Sequence, residues 1–170
     1  MKKLFLLAIV VLGFTAVSFA QPSVGNADAK ATIKAAHTMT KVNDLNFGTF
    51  ALTGVPGSII LAADGTPGII TGATGLTGTS GCSFTLGGGT TEAFSVTLPG
   101  MIDITTGTGI GETRIMHVDN WSTNASTNAG SPSSLTGGAY TLRLGGKLNF
   151  DGNEIAGDYT GIFALTVVWK

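Results

Sequence analysis

The sequence is poor in charged residues and shows almost no helical patterning. Lys, Arg, Asp and Glu make up 11% of its 170 residues, against roughly 25% in ordinary soluble domains. Nine basic residues stand against ten acidic ones, so the chain lacks the excess of positive charge that nucleic-acid binding requires. We therefore expect no nucleic-acid partner. The low charge is typical of a surface that is assembled, or that lies outside the cell.

Residues that bind metals or form disulfides are also scarce. Cys82 is the single cysteine, which excludes a disulfide within the chain and predicts a small buried residue at the start of a strand. The chain has two histidines, His37 and His117. A transition-metal site needs three or four ligands of the His and Cys type. We therefore expect no metal and no other cofactor.

Catalytic motifs are equally sparse. His117 and Asp119 lie two positions apart and share one face of a predicted strand, and either Ser80 or Cys82 could complete a triad with them. However, the stretch TGTSGCS lacks the G-x-S-x-G pattern of a nucleophile elbow, and nothing in the sequence orders the three groups. The sequence therefore predicts a protein that is not an enzyme and has no catalytic residues.

The amino terminus has the pattern of a secretory signal peptide. MKKLFLLAIVVLGFTAVSFAQ opens with two lysines, continues with an uncharged apolar run over 4–19, and places small residues before a cut at Gln21. The alternative is a membrane anchor, for which the run is short. The sequence predicts a helical signal peptide over 1–20 and one exported domain over 21–170. After the cut we expect no membrane span and a location outside the cell or at its surface, with the periplasm crossed in transit.

The rest of the chain alternates short apolar runs with turns, which is typical of an all-β protein. Hairpins are predicted around the Asp64-Gly65 turn and around Gly87–Gly89, where the glycines separate two apolar runs. A long polar loop is predicted over 120–138. Further strands are expected over 29–39, 101–105, 113–119, 140–150 and 159–169. Many short strands without helices between them predict an antiparallel β-sandwich.

The last strand has a strict period of two. The larger side chains fall on odd positions and define one face. The even positions, which include Ile162 and Val168, are partly apolar, so we expect that second face to be half covered. Because chain ends fray unless they are tied into a sheet, this pattern predicts an ordered terminal strand. The predicted inner face consists of Tyr159, Phe163, Leu165, Val167 and Trp169, with Gly161 as a gap.

Three motifs in order resemble a secreted bacterial family, the domain of unknown function 4402. They are LNFGTF at 45–50, LRLGGKLNF at 142–150 and GDYTGIFALTVVWK at 157–170. The resemblance covers nearly all of the mature chain and implies an immunoglobulin-like β-sandwich, similar to spore-coat U and fimbrial subunit domains. The residues of this chain that match the family's first two motifs are Leu45, Phe47, Gly48, Gly145, Gly146 and Leu148.

The last strand also resembles the closing strand of chaperone–usher pilins, which has a penultimate aromatic residue and a glycine fourteen places from the end. Trp169 and Gly157 occupy those positions here. The resemblance implies an assembly strand that lines a site for another chain's strand. The alternative is an ordinary final strand that pairs within its own domain. This chain lacks the pilin cysteine pair, and either the segment 29–35 is the donor strand or there is none.

Two further stretches are candidate binding regions. The run DGNEIAGD over 151–158 carries oxygen ligands of the calcium type, but its spacing departs from the EF-hand pattern, and a solvated turn is the favoured interpretation. Trp121, at the start of the predicted loop, either contacts a glycan or plugs the end of the sandwich.

The sequence as a whole favours a structural subunit of a fimbria-like surface assembly. Its expected partners are copies of itself or other surface subunits, with a periplasmic chaperone as a further candidate. The alternative is a secreted or surface-held adhesion module that recognises a glycan or a protein through its loops.

Overall fold

The computed structural model describes residues 28–107 and 111–170. The predicted signal peptide therefore lies outside the described residues. Residues Lys34–Lys170 form one compact unit, which contains every strand of the described residues. None of the helical structure in the described residues has the length and apolar character that a bilayer span requires.

The described residues form twelve β-strands and one short 3₁₀ helix, and every strand pairing is antiparallel. The predicted all-β, antiparallel fold class is confirmed. The strands are β1 (Thr38–Asn43), β2 (Thr49–Leu52), β3 (Gly57–Leu61), β4 (Pro67–Thr71), β5 (Ala73–Thr77), β6 (Cys82–Gly87), β7 (Ala93–Thr97), β8 (Ile102–Thr105), β9 (Ile115–Thr123), β10 (Ser133–Ser134), β11 (Ala139–Phe150) and β12 (Thr166–Trp169). The 3₁₀ helix covers Glu112–Arg114.

The longest strand, β11, is the centre of a seven-stranded sheet. One of its edges pairs with β9, which in turn pairs with β8. Its other edge pairs first with β6 and then with β3. The strands β1 and β4 continue the sheet beyond β6 and β3. One strand therefore holds three neighbours, because it changes partner halfway along one edge.

The change of partner falls at Gly145 and Gly146. The register with β6 ends at Leu144 opposite Cys82, and the register with β3 begins at Gly146 opposite Leu61. A Cβ atom on Gly145 would lie 2.2 Å from the carbonyl oxygen of Leu61, closer than real Cβ atoms come to any heavy atom. Glycine is required here because the β3 backbone passes too close for any side chain.

The opposite edge of β11 adapts at the same point. Residues 120 and 121 of β9 face the single residue Gly146, which makes a β-bulge. Asn120 takes a positive φ of 47°, a conformation that Asn tolerates better than most residues. The bulge places Trp121 beside Gly146, where a Cβ atom would lie 3.4 Å from the indole ring.

Two smaller sheets cover one face of β11. One has the order β10–β7–β12 and the other is the pair β2–β5. The even residues of β11 are buried in two hydrophobic clusters, and even residues of a strand share a face. The small sheets therefore form a second layer side by side. The β7–β12 core contains Cys82, Leu86, Phe94, Val96, Leu135, Leu142 and Leu144, and the β2–β5 core contains Phe47, Ile59, Leu61, Met116, Val118, Leu148 and Phe150.

One of the two predicted hairpins is present. The strands β3 and β4 pair across the Asp64-Gly65 turn, where Gly65 has a φ of 85° and the Asp64 carboxylate accepts the Thr66 N–H at 2.9 Å. The hairpin predicted at Gly87–Gly89 is wrong. The strands β6 and β7 lie in different sheets, so the three glycines connect the two layers rather than forming a turn within one sheet.

Three predicted element boundaries also need correction. The strand predicted over 29–39 begins only at Thr38, and residues 28–37 are exposed and outside any strand. Alanine supplies little area to bury and has a weak preference for strands, so the alternation over 29–35 does not form one. The predicted loop 120–138 begins later, because β9 continues to Thr123. The last strand is shorter than predicted, since only Thr166–Trp169 pairs as β12.

Substituting Gly145 tests the partner change in β11. We expect Gly145→Ala to destabilise the fold by about 2–3 kcal/mol, because the added methyl group would overlap backbone atoms that cannot move alone. Gly100→Ala is the matched control, since a Cβ atom at Gly100 has nothing within 4 Å. Urea unfolding followed by circular dichroism measures both variants. Equal stabilities of the two would contradict this account of β11.

Candidate functional site

The carboxy-terminal segment, defined as Gly157–Lys170, shows the burial pattern predicted for its inner face. Tyr159, Phe163, Leu165, Val167 and Trp169 are half-buried, and the even positions between them are exposed. The expectation that the even face is half covered is wrong, because Ile162 is 94% exposed and Val168 is 46% exposed. The segment therefore has one side on the core and one side in solvent.

The inner face of the segment contacts aromatic groups at several points. The Trp169 ring lies 5.6 Å from the Phe94 ring and the Phe163 ring lies 4.7 Å from the Trp121 ring. Phe163, Leu165, Val167 and Trp169 all pack against the β7–β12 core, and Tyr159 packs against the β2–β5 core. The segment thus contributes side chains to both cores.

Tyr159 is anchored at its hydroxyl as well as its ring. The hydroxyl oxygen lies 2.8 Å from the Ile155 carbonyl oxygen and 3.1 Å from that of Thr113. Burial raises the pKa of the Tyr159 phenol, because a phenolate would lose hydration there. The neutral hydroxyl is therefore retained as a donor and fixes the start of the segment.

The backbone of the segment is paired at both ends but not between them. Thr160 exchanges two hydrogen bonds with Thr105, of 2.9 and 3.0 Å, which adds it to the edge of β8. Residues 166–169 pair with β7 in the other layer. Among the described residues, the main-chain groups of 161–165 have no backbone partner. The segment therefore crosses from one sheet to the other through an unpaired, extended stretch.

The β12 strand also has an open edge. The Lys170 N–H bonds to the Ala93 carbonyl at 2.9 Å, and alternate residues of a strand point their main-chain groups to the same side. Val167 and Trp169 therefore direct theirs away from β7. Among the described strands, none pairs with β12 on that side. The unpaired stretch and this open edge are continuous with one another.

Two glycines let the segment lie against β8 and the residue after it. A Cβ atom on Gly161 would lie 2.5 Å from the Asp103 carbonyl oxygen, and one on Gly157 would lie 2.6 Å from the Thr106 hydroxyl oxygen. Glycine at position 157 permits this close approach where the segment begins. The close approach of Gly161, which appeared only as a gap in the apolar pattern, was not predicted.

The residues that match the first two family motifs lie in the core or at close backbone contacts. Phe47 and Leu148 are buried in the β2–β5 core, and Leu45 packs against both cores. Gly48 has a φ of 78°, and a Cβ atom there would lie 2.1 Å from the Thr77 carbonyl oxygen. Together with Gly145 and Gly146, these residues determine the fold rather than forming a binding surface.

Trp121 lies within β9 rather than in a loop. Its side chain packs against both hydrophobic cores, and its Nε1 donates to the Gly100 carbonyl at 2.9 Å. These contacts hold the indole against the two cores rather than in a solvated loop.

The candidate catalytic residues are engaged with different partners. His117 Nδ1 lies 2.7 Å from Asp103 Oδ1, across the β8–β9 pair, and Asp119 accepts the Asn149 side-chain N–H at 2.9 Å. Cys82 is buried, and burial raises its pKa to about 11. Ser80 donates to the Asp44 carbonyl at 3.2 Å. The structure therefore places the four residues in separate contacts.

His37 has partners that sequence reasoning missed. Its Nε2 lies 2.7 Å from the Glu92 carboxylate, and its ring stacks on Trp169 with a centroid separation of 4.2 Å. These contacts join residues separated by 55 and 132 positions in the chain. No local sequence pattern could have indicated them.

The acidic run 151–158 contains a carboxylate that caps a turn. Glu154 accepts the N–H groups of Asp151 and Gly152, the second at 2.8 Å. Within the described part of the chain, no group of three or more His, Cys, Asp or Glu side chains could hold a metal ion. The arrangement is that of a hydrogen-bonded turn.

An open cleft lies beside the first half of β11, next to Thr141 and Arg143. It has a volume of about 460 Å³, and the Asn124 side chain that lines it is used in two hydrogen bonds to the β11 backbone, at Thr141 and Arg143. The lining residues are Ala62, Ala63, Asp64, Asn124, Thr141 and Arg143.

Comparison with known proteins gives one match. The family model described as domain of unknown function (DUF4402) matches residues 37–169. No curated protein matches the sequence, and no solved structure matches the fold.

The burial of Cys82 predicts an unreactive thiol. Because its pKa is raised to about 11, the thiolate fraction at pH 8 is very small, and reagents that attack thiolates require it. We expect the folded chain to resist labelling with a disulfide reagent at pH 8, and full labelling in urea. Labelling of the folded protein as fast as that of the denatured chain would contradict the burial.

Proposed function

We propose that this chain, which belongs to the DUF4402 family, is a non-enzymatic, exported structural protein of the bacterial cell surface. In this proposal it is a subunit of a fimbria-like or surface assembly, and it associates through pairing of β-strands between chains. The observation that carries the proposal is the carboxy-terminal segment, whose inner side is packed on the core while its backbone over 161–165 is unpaired among the described residues.

An extended backbone with unpaired N–H and C=O groups can accept a strand from another chain. Such β-augmentation draws its affinity from main-chain hydrogen bonds and its specificity from alternate side chains. The continuous edge formed by 161–165 and β12 offers about nine residues for pairing, and Phe163 to Trp169 hold it against the core. The segment that would accept a partner strand is therefore already packed against its own core.

Several other edges of the described sheets carry features that discourage pairing. The edge strand β1 has Lys41, β4 begins with Pro67, and β2 and β4 have shifted registers. Lysine, proline and bulges are the usual protection of exposed edges. The edge from 161 to Trp169 has no charged residue, proline or bulge. This contrast supports β12 as the edge at which chains associate.

One feature of the sequence and one of the structure support the remaining parts of the proposal. The leader over 1–20 supports export. The separate engagement of His117, Asp119, Cys82 and Ser80 supports a role without catalysis. In this proposal the partners are further copies of the chain or other surface subunits, and a periplasmic chaperone would protect the open edge before assembly.

A second candidate function is that of a binding module. The observation that favours it is the open cleft of about 460 Å³, in which Asp64 and Arg143 present charges of opposite sign. Such a cleft could hold a small polar group of a glycan or a protein. A module of this kind would be a stable monomer.

The assembly proposal predicts a detergent-resistant polymer. We expect material sheared from the native cells to give a ladder on a denaturing gel when unheated, and one monomer band when heated. A shared sheet resists detergent because its backbone pairs must break together. A single monomer band in both lanes would overturn strand exchange and favour the binding module.

Two proline variants test whether chains associate at the edge formed by 161–165 and β12. Ala164→Pro fixes φ at about −65° in the middle of the unpaired stretch, which departs from the φ of a paired strand, and it breaks no described intrachain backbone bond, so we expect it to abolish the ladder. Ala129→Pro is the control. Ala129 follows Asn128 in a turn closed by the Ser131 N–H to Asn128 carbonyl bond of 3.1 Å, a position that favours proline. A ladder that survives Ala164→Pro would move the association to another edge.

A further inference from the structure

We propose that His37, Glu92 and Trp169 form a proton-sensitive latch that fastens the start of β1 to the terminal strand β12. The latch consists of contacts within one chain, so its test does not require the assembly proposed above. It closes most tightly when His37 is protonated and Glu92 is ionised.

The first contact of the latch is the stack of His37 on Trp169. The two rings are nearly parallel, with an angle of 7° between their planes and 4.2 Å between their centroids. A protonated imidazole over an indole face gains a cation–π attraction that a neutral ring does not have. The other neighbour of the indole is Phe94, at 5.6 Å, so Trp169 lies between the core and the histidine.

The second contact is the hydrogen bond from His37 Nε2 to Glu92 Oε2, of 2.7 Å. The same carboxylate oxygen accepts the Gly89 N–H at 2.9 Å. Gly88 leaves room for the pair, because a Cβ atom there would lie 2.6 Å from Glu92 Oε2 and 3.1 Å from the His37 ring. The hydrogen bond from Gly89 thus holds the Glu92 carboxylate in position to contact His37.

The Glu92 carboxyl remains ionised over the range in which histidines titrate. Its pKa is lowered, first by the Gly89 N–H and then by His37. A lowered carboxyl pKa stabilises the fold above the ordinary carboxyl range and loses that effect as the pH falls through the lowered value. Histidine side chains commonly gain their proton between about pH 8 and pH 5. Because the Glu92 carboxyl stays ionised over that range, the charged pair of the proposed latch forms as the imidazole gains its proton and is lost as the pH rises.

The other charged groups near the latch are lysines. Lys34 lies on the segment that carries His37 and acts on Glu92, and Lys170 follows Trp169, with its Nζ donating to the Ala129 carbonyl. Lysine side chains ordinarily keep their positive charge between pH 5 and 8. Glu92 is the carboxylate that contacts the imidazole.

The chain provides an internal control for this latch. His117 also pairs with a carboxylate, Asp103, at the same distance of 2.7 Å. The described aromatic stacking contacts do not include His117. The second tryptophan, Trp121, has Phe163 as its described ring contact. Both histidines therefore contact a carboxylate, and among the described ring contacts only His37 is stacked on a tryptophan.

The test is a pH titration of tryptophan fluorescence on the chain from residue 21 to 170, the segment that remains after the predicted cut. A protonated imidazole in contact with an excited indole quenches its emission by accepting an electron. We expect emission to rise in one step between pH 5 and 8, the step to be absent in His37→Gln, and the step to remain in His117→Gln. A step that persists unchanged in His37→Gln would overturn the latch.

Thermal unfolding and NMR give readouts that do not depend on fluorescence. We expect the Tm difference between wild type and His37→Gln to be about 1–3 °C larger at pH 5.5 than at pH 8, as suits a partly exposed charge pair. In the wild-type chain, the Trp169 indole resonance should follow the same titration as the His37 ring. An equal Tm difference at both pH values, or a Trp169 resonance that does not titrate, would overturn the proposal.

Discussion

The partner change along β11 is the constraint on which the rest of the structure depends. Gly145 brings the β3 backbone within reach of β11 just where β6 leaves it. Any side chain at that point would separate the two strands and leave the second half of β11 without one neighbour. Because β6 and β3 each pair with a further strand, the seven-stranded sheet exists only if β11 changes partner at this point.

The change of partner along β11 also explains why there are two hydrophobic cores and how they are joined. Each half of β11 is covered by its own small sheet, so the second layer is discontinuous. Trp121 and Leu45 contact both cores, and the terminal segment reaches from β8 in one layer to β7 in the other. The segment proposed for assembly is thus also a structural connection, which accounts for its apolar inner face without reference to any partner.

Sequence reasoning was sufficient for the parts of the fold that depend on local periodicity and turn chemistry. The inner face of the terminal segment and the turn at Asp64-Gly65 follow from alternation and from the needs of a tight turn. The sequence did not indicate that Gly87–Gly89 connects the two layers, because a glycine run is compatible both with a hairpin and with a crossing between layers. The contact of His37 with Trp169 joins the two ends of the domain, and such distant pairings leave no local signal.

The position of the terminal segment has a consequence for the order in which the protein folds. The carboxy-terminal segment supplies side chains to both cores, and its partners in β7 and β8 lie more than fifty positions earlier. The second layer therefore closes only after residues far apart in the sequence have met. Pairings over such long loops are slow to form. The docking of this segment is therefore expected to be a late step in folding.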